Sequence, residues 1–170
     1  MSSMASLTNH RLTGNILTPQ GFITGTLEWD DSGRITQLHG NFISSEKARE
    51  NGQAIIVPGF IDLHVHGGAG HDIMEGGDAV QKVARIHAEH GTTSILATTM
   101  TAPQSDLLSA FEAIGQAMAR PASFPPKGAH VLGVHLEGPY ISESKLGAQP
   151  AFARPVSLEE IDQLNRLALI

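Results

Sequence analysis

The sequence predicts an α/β fold: an incomplete (β/α)8, TIM-type barrel preceded by a smaller β-rich region. Three observations carry that reading. From residue 54 onward, strand-like and helix-like patterns alternate three times over, which is the signature of a parallel sheet with crossover helices. Two histidines, His64 and His66, stand two residues apart at the end of the first of those strands. A carboxylate, Glu137, follows the end of the third. In a parallel barrel the carboxyl ends of the strands form the mouth where active sites lie, so all three side chains are expected at one opening.

The elements justify themselves in chain order. Residues 22–29 are β-rich, Asp30-Asp31-Ser32-Gly33 is a turn cluster, and residues 34–38 alternate polar and apolar, so the three together predict a hairpin. Residues 44–53 are polar and read as a junction. Ile55-Ile56-Val57 leads through Pro58-Gly59 into residues 60–64, a nearly continuous apolar run that predicts a buried strand. Val80, Val83, Ala84 and His87 then share one helical face, and Gly91 stops that helix. Residues 92–99 form a β-branched strand, and Leu107, Phe111, Ile114 and Met118 line a second helix that the loop at 121–128 ends. Residues 130–136 predict a third buried strand. Ser157 and Glu160 have the spacing of a capping box for a last helix carrying Ile161, Leu164 and Ala168. A closed barrel takes ~250 residues, whereas 170 residues hold only three strand–helix units after the β-rich start. Such a piece is expected to expose apolar strand edges and one side of its interior.

Composition narrows the function classes. Eleven basic residues against 17 acidic ones give a net charge of −6, which argues against a nucleic-acid surface but leaves room for a small anionic substrate. The chain has no cysteine, so disulfides and thiolate metal sites are excluded. The start, residues 1–8, is polar, and no apolar run approaches the ~20 residues of a membrane span. A soluble cytoplasmic protein with no membrane contact is the expectation.

Nine histidines are many for this length, but most have ordinary explanations. His10 and His39 lie in polar, turn-rich surroundings, and His90 sits at a helix end, where a cation suits the dipole. His71 and Asp72 read as solvated loop residues. His64 and His66 differ, because strand side chains alternate with period two and these two point the same way. Imidazoles suit zinc and other transition metals, and a carboxylate from a neighbouring strand is a common further ligand. For Glu137 the residues leave two outcomes open: metal ligation, or an ion pair with a later Arg or Lys. Asp62 and His135 each share a face with one of these groups. Asp62 either orients a ligand or caps a local turn, and His135 is a supporting or alternative ligand. In the loop that follows, Ala148 and Gln149 offer amides to a polar substrate.

At these residues the chain resembles the N-acetylglucosamine-6-phosphate deacetylases of the amidohydrolase superfamily. The resemblance rests on Val-Pro-Gly-Phe-Ile-Asp-Leu-His-Val-His-Gly at residues 57–67 and His-Gly-Thr-Thr at 90–93. It continues in His-Leu-Glu-Gly-Pro-Tyr-Ile-Ser at 135–142 with Gly-Ala-Gln at 147–149. The first block is shared across amidohydrolases, and the last two are more specific to the deacetylases. The resemblance implies a small β-sandwich built from both chain ends, with residues 1–56 its N-terminal portion, and a metal-dependent barrel, with residues 57–170 its first half. It implies that Glu137 is a metal ligand, that His64 and His66 serve a second metal position, and that Ala148 and Gln149 touch the sugar. One or two divalent ions, zinc by donor chemistry, and a homodimeric full-length enzyme follow from it. The family's further metal histidines and catalytic aspartate fall beyond residue 170, so no catalytic acid–base residue is expected within the chain. The expected activity of the parent enzyme is removal of the acetyl group from N-acetylglucosamine 6-phosphate, with this stretch inactive alone. Two rivals stand beside it: another amidohydrolase, such as a dihydroorotase-like cyclic amidase or deaminase, and a non-catalytic fragment or oligomerising scaffold.

Overall fold

The computed structural model describes residues 10–120 and 127–170. The polar start and most of the loop at 121–128 lie outside the described residues. The chain divides into two units, one running to Pro58 and the other beginning at Gly59.

The first unit is a four-stranded sheet and one short helix. Strands β1 (His10–Thr18), β2 (Gly21–Trp29) and β3 (Ile35–Phe42) run antiparallel, and β4 (Ile55–Ile56) adds parallel to β1, giving the order β3-β2-β1-β4. The hairpin expected over residues 22–38 is β2–β3. Asp30 makes its turn by accepting hydrogen bonds from the backbone N–H groups of Ser32 and Arg34. Gly25 and Gly40 face each other across that pair; a Cβ on Gly25 would lie 1.9 Å from the His39 carbonyl oxygen, so the strands approach where only glycine fits. The polar stretch read as a junction contains helix α1 (Ser45–Glu50), capped by Ser44, whose hydroxyl accepts the Lys47 N–H. Its one buried side chain is Ala48, too little apolar signal for a periodicity to register. Fully buried Asn15 holds it from β1: its amide donates to the Ala48 carbonyl and exchanges hydrogen bonds with the Asn51 amide. The second layer that a sandwich requires is not among the described residues.

The second unit is built on three parallel strands, β5 (Phe60–Val65), β8 (Thr92–Thr98) and β9 (His130–His135), in the order β5-β8-β9. Between β5 and the first crossover helix lies a two-stranded ribbon, β6 (Gly67–Gly68) and β7 (His71–Asp72). Helices α2 (Ala79–Glu89) and α3 (Gln104–Met118) make the crossovers, and α4 (Leu158–Leu167) follows β9. The stripes read from the sequence are the packing faces. Val80, Val83, Leu107, Phe111, Ile114 and Leu164 are fully buried against Ile95, Ala97, Val131 and Val134 of the sheet. Burying a side chain of this size contributes roughly 1.5–3 kcal/mol, so this one layer supplies most of the unit's apolar stabilisation. Beyond α4 the backbone returns to the sheet, where the Val134 N–H donates to the Leu169 carbonyl at 2.7 Å on the outer side of β9.

Two expectations need correction. Residues 60–64 do not form a buried strand: Phe60, Ile61 and Leu63 of β5 are 64%, 62% and 58% exposed. The strand lies at the sheet edge, so its apolar run marks a face and an edge left open among the described residues. The capping box of α4 is only half made. Ser157 accepts the Glu160 N–H, but the Glu160 carboxylate turns away to Arg154 and Tyr140.

Candidate metal centre

His64 is held at the end of β5 by a local kink. The Asp62 carboxylate accepts the His64 backbone N–H at 3.1 Å, and the register between β5 and β8 shifts between Asp62 and Val65. Next, the Val65 N–H donates to the Thr98 hydroxyl at 2.8 Å, while the His66 carbonyl accepts the Ile73 N–H. His87 on α2 hydrogen-bonds the Gly67 carbonyl through Nε2. The backbone on both sides of His66 is therefore fixed, and the two imidazoles converge with their Nε2 atoms 3.1 Å apart.

Glu137 reaches the same point from two residues beyond β9. Its Oε2 lies 2.8 Å from His64 Nε2 and 3.0 Å from His66 Nε2. These three atoms form the one group of three or more metal-type donors among the described residues. Among the described residues no Arg or Lys pairs with Glu137, so of the two outcomes open in the sequence the structure favours the metal-type cluster.

The donor set fits a divalent cation. Glu137 Oε2 is buried without an aligned hydrogen bond, despite two nitrogens at contact distance. Three lone-pair donors directed at one another repel unless protons or a cation lie between them, and burying a carboxylate oxygen without such a partner is costly. Separations near 3 Å allow each donor to sit about 2.0–2.2 Å from a common point, the span of zinc–nitrogen and zinc–oxygen bonds. Two neutral imidazoles and one carboxylate are the donor chemistry of zinc and its neighbours in the first transition row.

The profile of the amidohydrolase family matches residues 55–165. The chain belongs to that family. Among curated relatives it is 41% identical over 117 residues to the N-acetylgalactosamine-6-phosphate deacetylase of Escherichia coli O157:H7, covering 68% of this chain and 30% of the relative. It is 37% identical over 128 residues to the N-acetylglucosamine-6-phosphate deacetylase of Lysinibacillus sphaericus, covering 72% of this chain and 31% of the relative. Among solved structures, the N-acetylglucosamine-6-phosphate deacetylase of Thermotoga maritima superposes with a TM-score of 0.72 at 27% identity, over 91% of this chain and 39% of the other. The chain thus spans about a third of the length of the curated relatives it matches.

Within this amidohydrolase chain, the remaining sequence-selected residues surround the cluster in distinct ways. Asp62 contacts the His64 backbone and not an imidazole, so it supports the site through the local turn. His135 places Nδ1 3.0 Å from the Leu63 carbonyl and packs its ring 4.6 Å from that of His64, bracing the imidazole from β9. Ala148 is exposed in the loop after Glu137. The Gln149 side chain bridges two groups: Nε2 donates to Glu137 Oε1 at 2.8 Å, and Oε1 accepts the Thr101 N–H at 2.6 Å. His71 and Asp72 stay outside the cluster, His71 beside Glu75 and Asp72 capping the short 3-10 turn at Ile73–Glu75.

Sequence reasoning missed three supporting groups. Thr98 and Thr101, both fully buried at the end of β8, carry the hydroxyl and the amide that hold Val65 and Gln149. For Thr98 a signal was present: a polar Thr-Thr-Met-Thr run ends a strand that is otherwise core. The third is a polar knot under the Gln149 loop. Arg154 binds the nearly buried Glu160 through Nε and Nη2 and donates Nη1 to the Ala102 carbonyl, while the Tyr140 hydroxyl donates to Glu160 at 2.7 Å. Hydrogen bonding from Arg154 holds the Glu160 carboxyl below its usual range. Burial, then the hydrogen bond to Glu160, pushes the Tyr140 hydroxyl up to about 12.

Proposed function

We propose that this chain is the N-terminal part of a metal-dependent deacetylase acting on an N-acetylated hexosamine 6-phosphate. The parent reaction is hydrolysis of the acetamido group of N-acetylglucosamine 6-phosphate to glucosamine 6-phosphate and acetate. The observation that carries this reading is the convergence of His64, His66 and Glu137 at the strand ends of an amidohydrolase barrel segment. The similarity to deacetylases of both gluco- and galacto-configured substrates supports the substrate class.

His64, His66 and Glu137 would hold a divalent ion, zinc by donor type. Bound there, such an ion supplies Lewis-acid polarisation of the amide carbonyl and a water whose pKa falls towards ~7. The chain's own residues do the rest of what this segment contributes. Asp62, Thr98 and His135 keep the imidazoles aimed. The loop carrying Ala148 and Gln149 lies beside Glu137, where an acetamido sugar can meet its amides. Gln149 retains one amide N–H beyond the one given to Glu137. A proton shuttle is not among these residues, and we assign it to the remainder of the longer enzyme. The 170-residue chain alone is accordingly proposed to bind metal without turning over. A cytoplasmic location and a homodimeric full-length enzyme belong to the same proposal and rest on the resemblance; no helix among the described residues is long and apolar enough to cross a membrane.

Acetate release from N-acetylglucosamine 6-phosphate, N-acetylgalactosamine 6-phosphate and, as a control, dihydroorotate ring opening tests the reading. The full-length enzyme, reconstituted with zinc, is expected to release acetate from at least one sugar phosphate. Turnover of dihydroorotate alone would sink the deacetylase assignment.

A further inference from the structure

We propose that Gln149 is a positioning residue that decides which oxygen of Glu137 is offered to the metal; this rests on the metal reading given above. The amide's orientation is not arbitrary. The Thr101 backbone N–H can only donate, so the group facing it must be the Gln149 carbonyl oxygen, and the NH2 group is forced towards Glu137. Glu137 Oε1 is thereby satisfied by a neutral donor. Oε2 is left without an aligned hydrogen bond, directed at His64 and His66. A carboxylate divided in this way is a one-oxygen ligand with its rotation fixed.

The chemical choice of residue matters. An Arg or Lys at this place would neutralise Glu137 and compete with a cation for it, whereas an amide fixes the carboxylate and leaves its charge intact. Thr101 is fully buried at the end of β8, so its N–H is a rigid reference point. The loop that presents Gln149 is tied down on both sides, by the Gln149 N–H on the Leu146 carbonyl and by the Arg154 guanidinium on Ala102 and Glu160. Gln149 therefore couples the ends of β8 and β9 through one side chain. Groups that orient a ligand in this manner typically change metal affinity 10–100-fold when removed.

The test is zinc affinity of the 170-residue chain, read by competition with a chromogenic chelator, for the unaltered protein and for Gln149→Leu, Gln149→Asn and Gln149→His. Gln149→Leu removes both hydrogen bonds, and Gln149→Asn keeps the amide but is one methylene too short to span Thr101 and Glu137. Both are expected to bind zinc about 10–100-fold more weakly, with the metal-free Tm lower by about 2–8 °C because the buried Thr101 N–H loses its acceptor. Gln149→His presents an acceptor and a donor on one ring edge and is expected to recover most of the affinity, which a merely structural role would not produce. Zinc affinity of Gln149→Leu and Gln149→Asn equal to that of the unaltered chain would overturn the role of Gln149 and leave the metal centre standing. Absence of zinc binding by the unaltered chain would overturn the metal centre, and this inference with it.

Discussion

The two units of this chain use polar side chains for opposite ends. In the first, the buried Asn15 amide and the more exposed Asn51 amide exchange hydrogen bonds and, with the Ala48 carbonyl, hold a helix to a sheet. In the second, Glu137 Oε2 is buried without an aligned hydrogen bond, with the Nε2 atoms of His64 and His66 at contact distance. A closed polar network costs little and specifies structure. An open one that gathers several donors of one kind invites a cation to complete it. Unpartnered atoms occur in both units, Trp29 Nε1 in the first among them, and what singles out the second is the convergence of three metal-type donors at one point.

Variants can break that comparison, and the largest effect belongs to Glu137. Glu137→Gln removes the only charge of the donor set and is expected to weaken zinc binding by more than the ~100-fold seen for supporting residues, measured by chelator competition. A loss under tenfold would mean that the imidazoles suffice and the cluster is not one site. Next comes Arg154→Leu, which strands the Glu160 carboxylate in the interior. Breaking such a pair costs about 3 kcal/mol when one partner keeps partial solvent access, read as a fall in the denaturant midpoint. Zinc affinity should drop with it, because the Gln149 loop loses its anchor.

Acid and alkali probe the same knot. The folded-state pKa of Glu160 is depressed, so its contribution to stability is full above the ordinary carboxylate pKa and is lost as pH falls through and below that value. Tyr140 is the reverse case. Its folded pKa of about 12 lies above the ordinary tyrosine value of 10.0, so its contribution is full below pH 10 and disappears as pH rises towards 12. A thermal-denaturation series from pH 3 to 11 should show both losses in the unaltered chain, and Tyr140→Phe should flatten the alkaline limb. Asn15→Leu should cost about 1–3 kcal/mol by leaving its amide partners unpaired and leave zinc affinity unchanged. The smallest effect is expected of Thr98→Val, which orphans the Val65 N–H: about 1 kcal/mol of stability and a slight loosening of zinc.

How far the sequence could be read depended on the kind of force at work. The helices α2 and α3 and the strands β8 and β9 were legible because their apolar spacing is itself the cause of their burial. Helix α1 was not, since six residues with one buried alanine derive their helicity from the Ser44 cap and the Asn15 contact, neither of which has a period. The exposure of β5 was misread from its run of apolar residues, because hydrophobicity reports a preference for burial and not whether a neighbour is present to supply it. At the site, His64, His66 and Glu137 stood out by residue type and strand position. Thr101 did not, because its contribution is a backbone N–H that any residue but proline would offer.

The Leu169 carbonyl that accepts from Val134 has a consequence for the order of the strands. The backbone leaving α4 has already docked on the free side of β9, so the outer edge of that strand is partly occupied. The strands β5 and β9 each pair with β8 and not with one another. His64, His66 and Glu137 can therefore meet only once the three strands stand side by side. A zinc ion captured there would tie the first strand to the third across β8 and hold their order fixed.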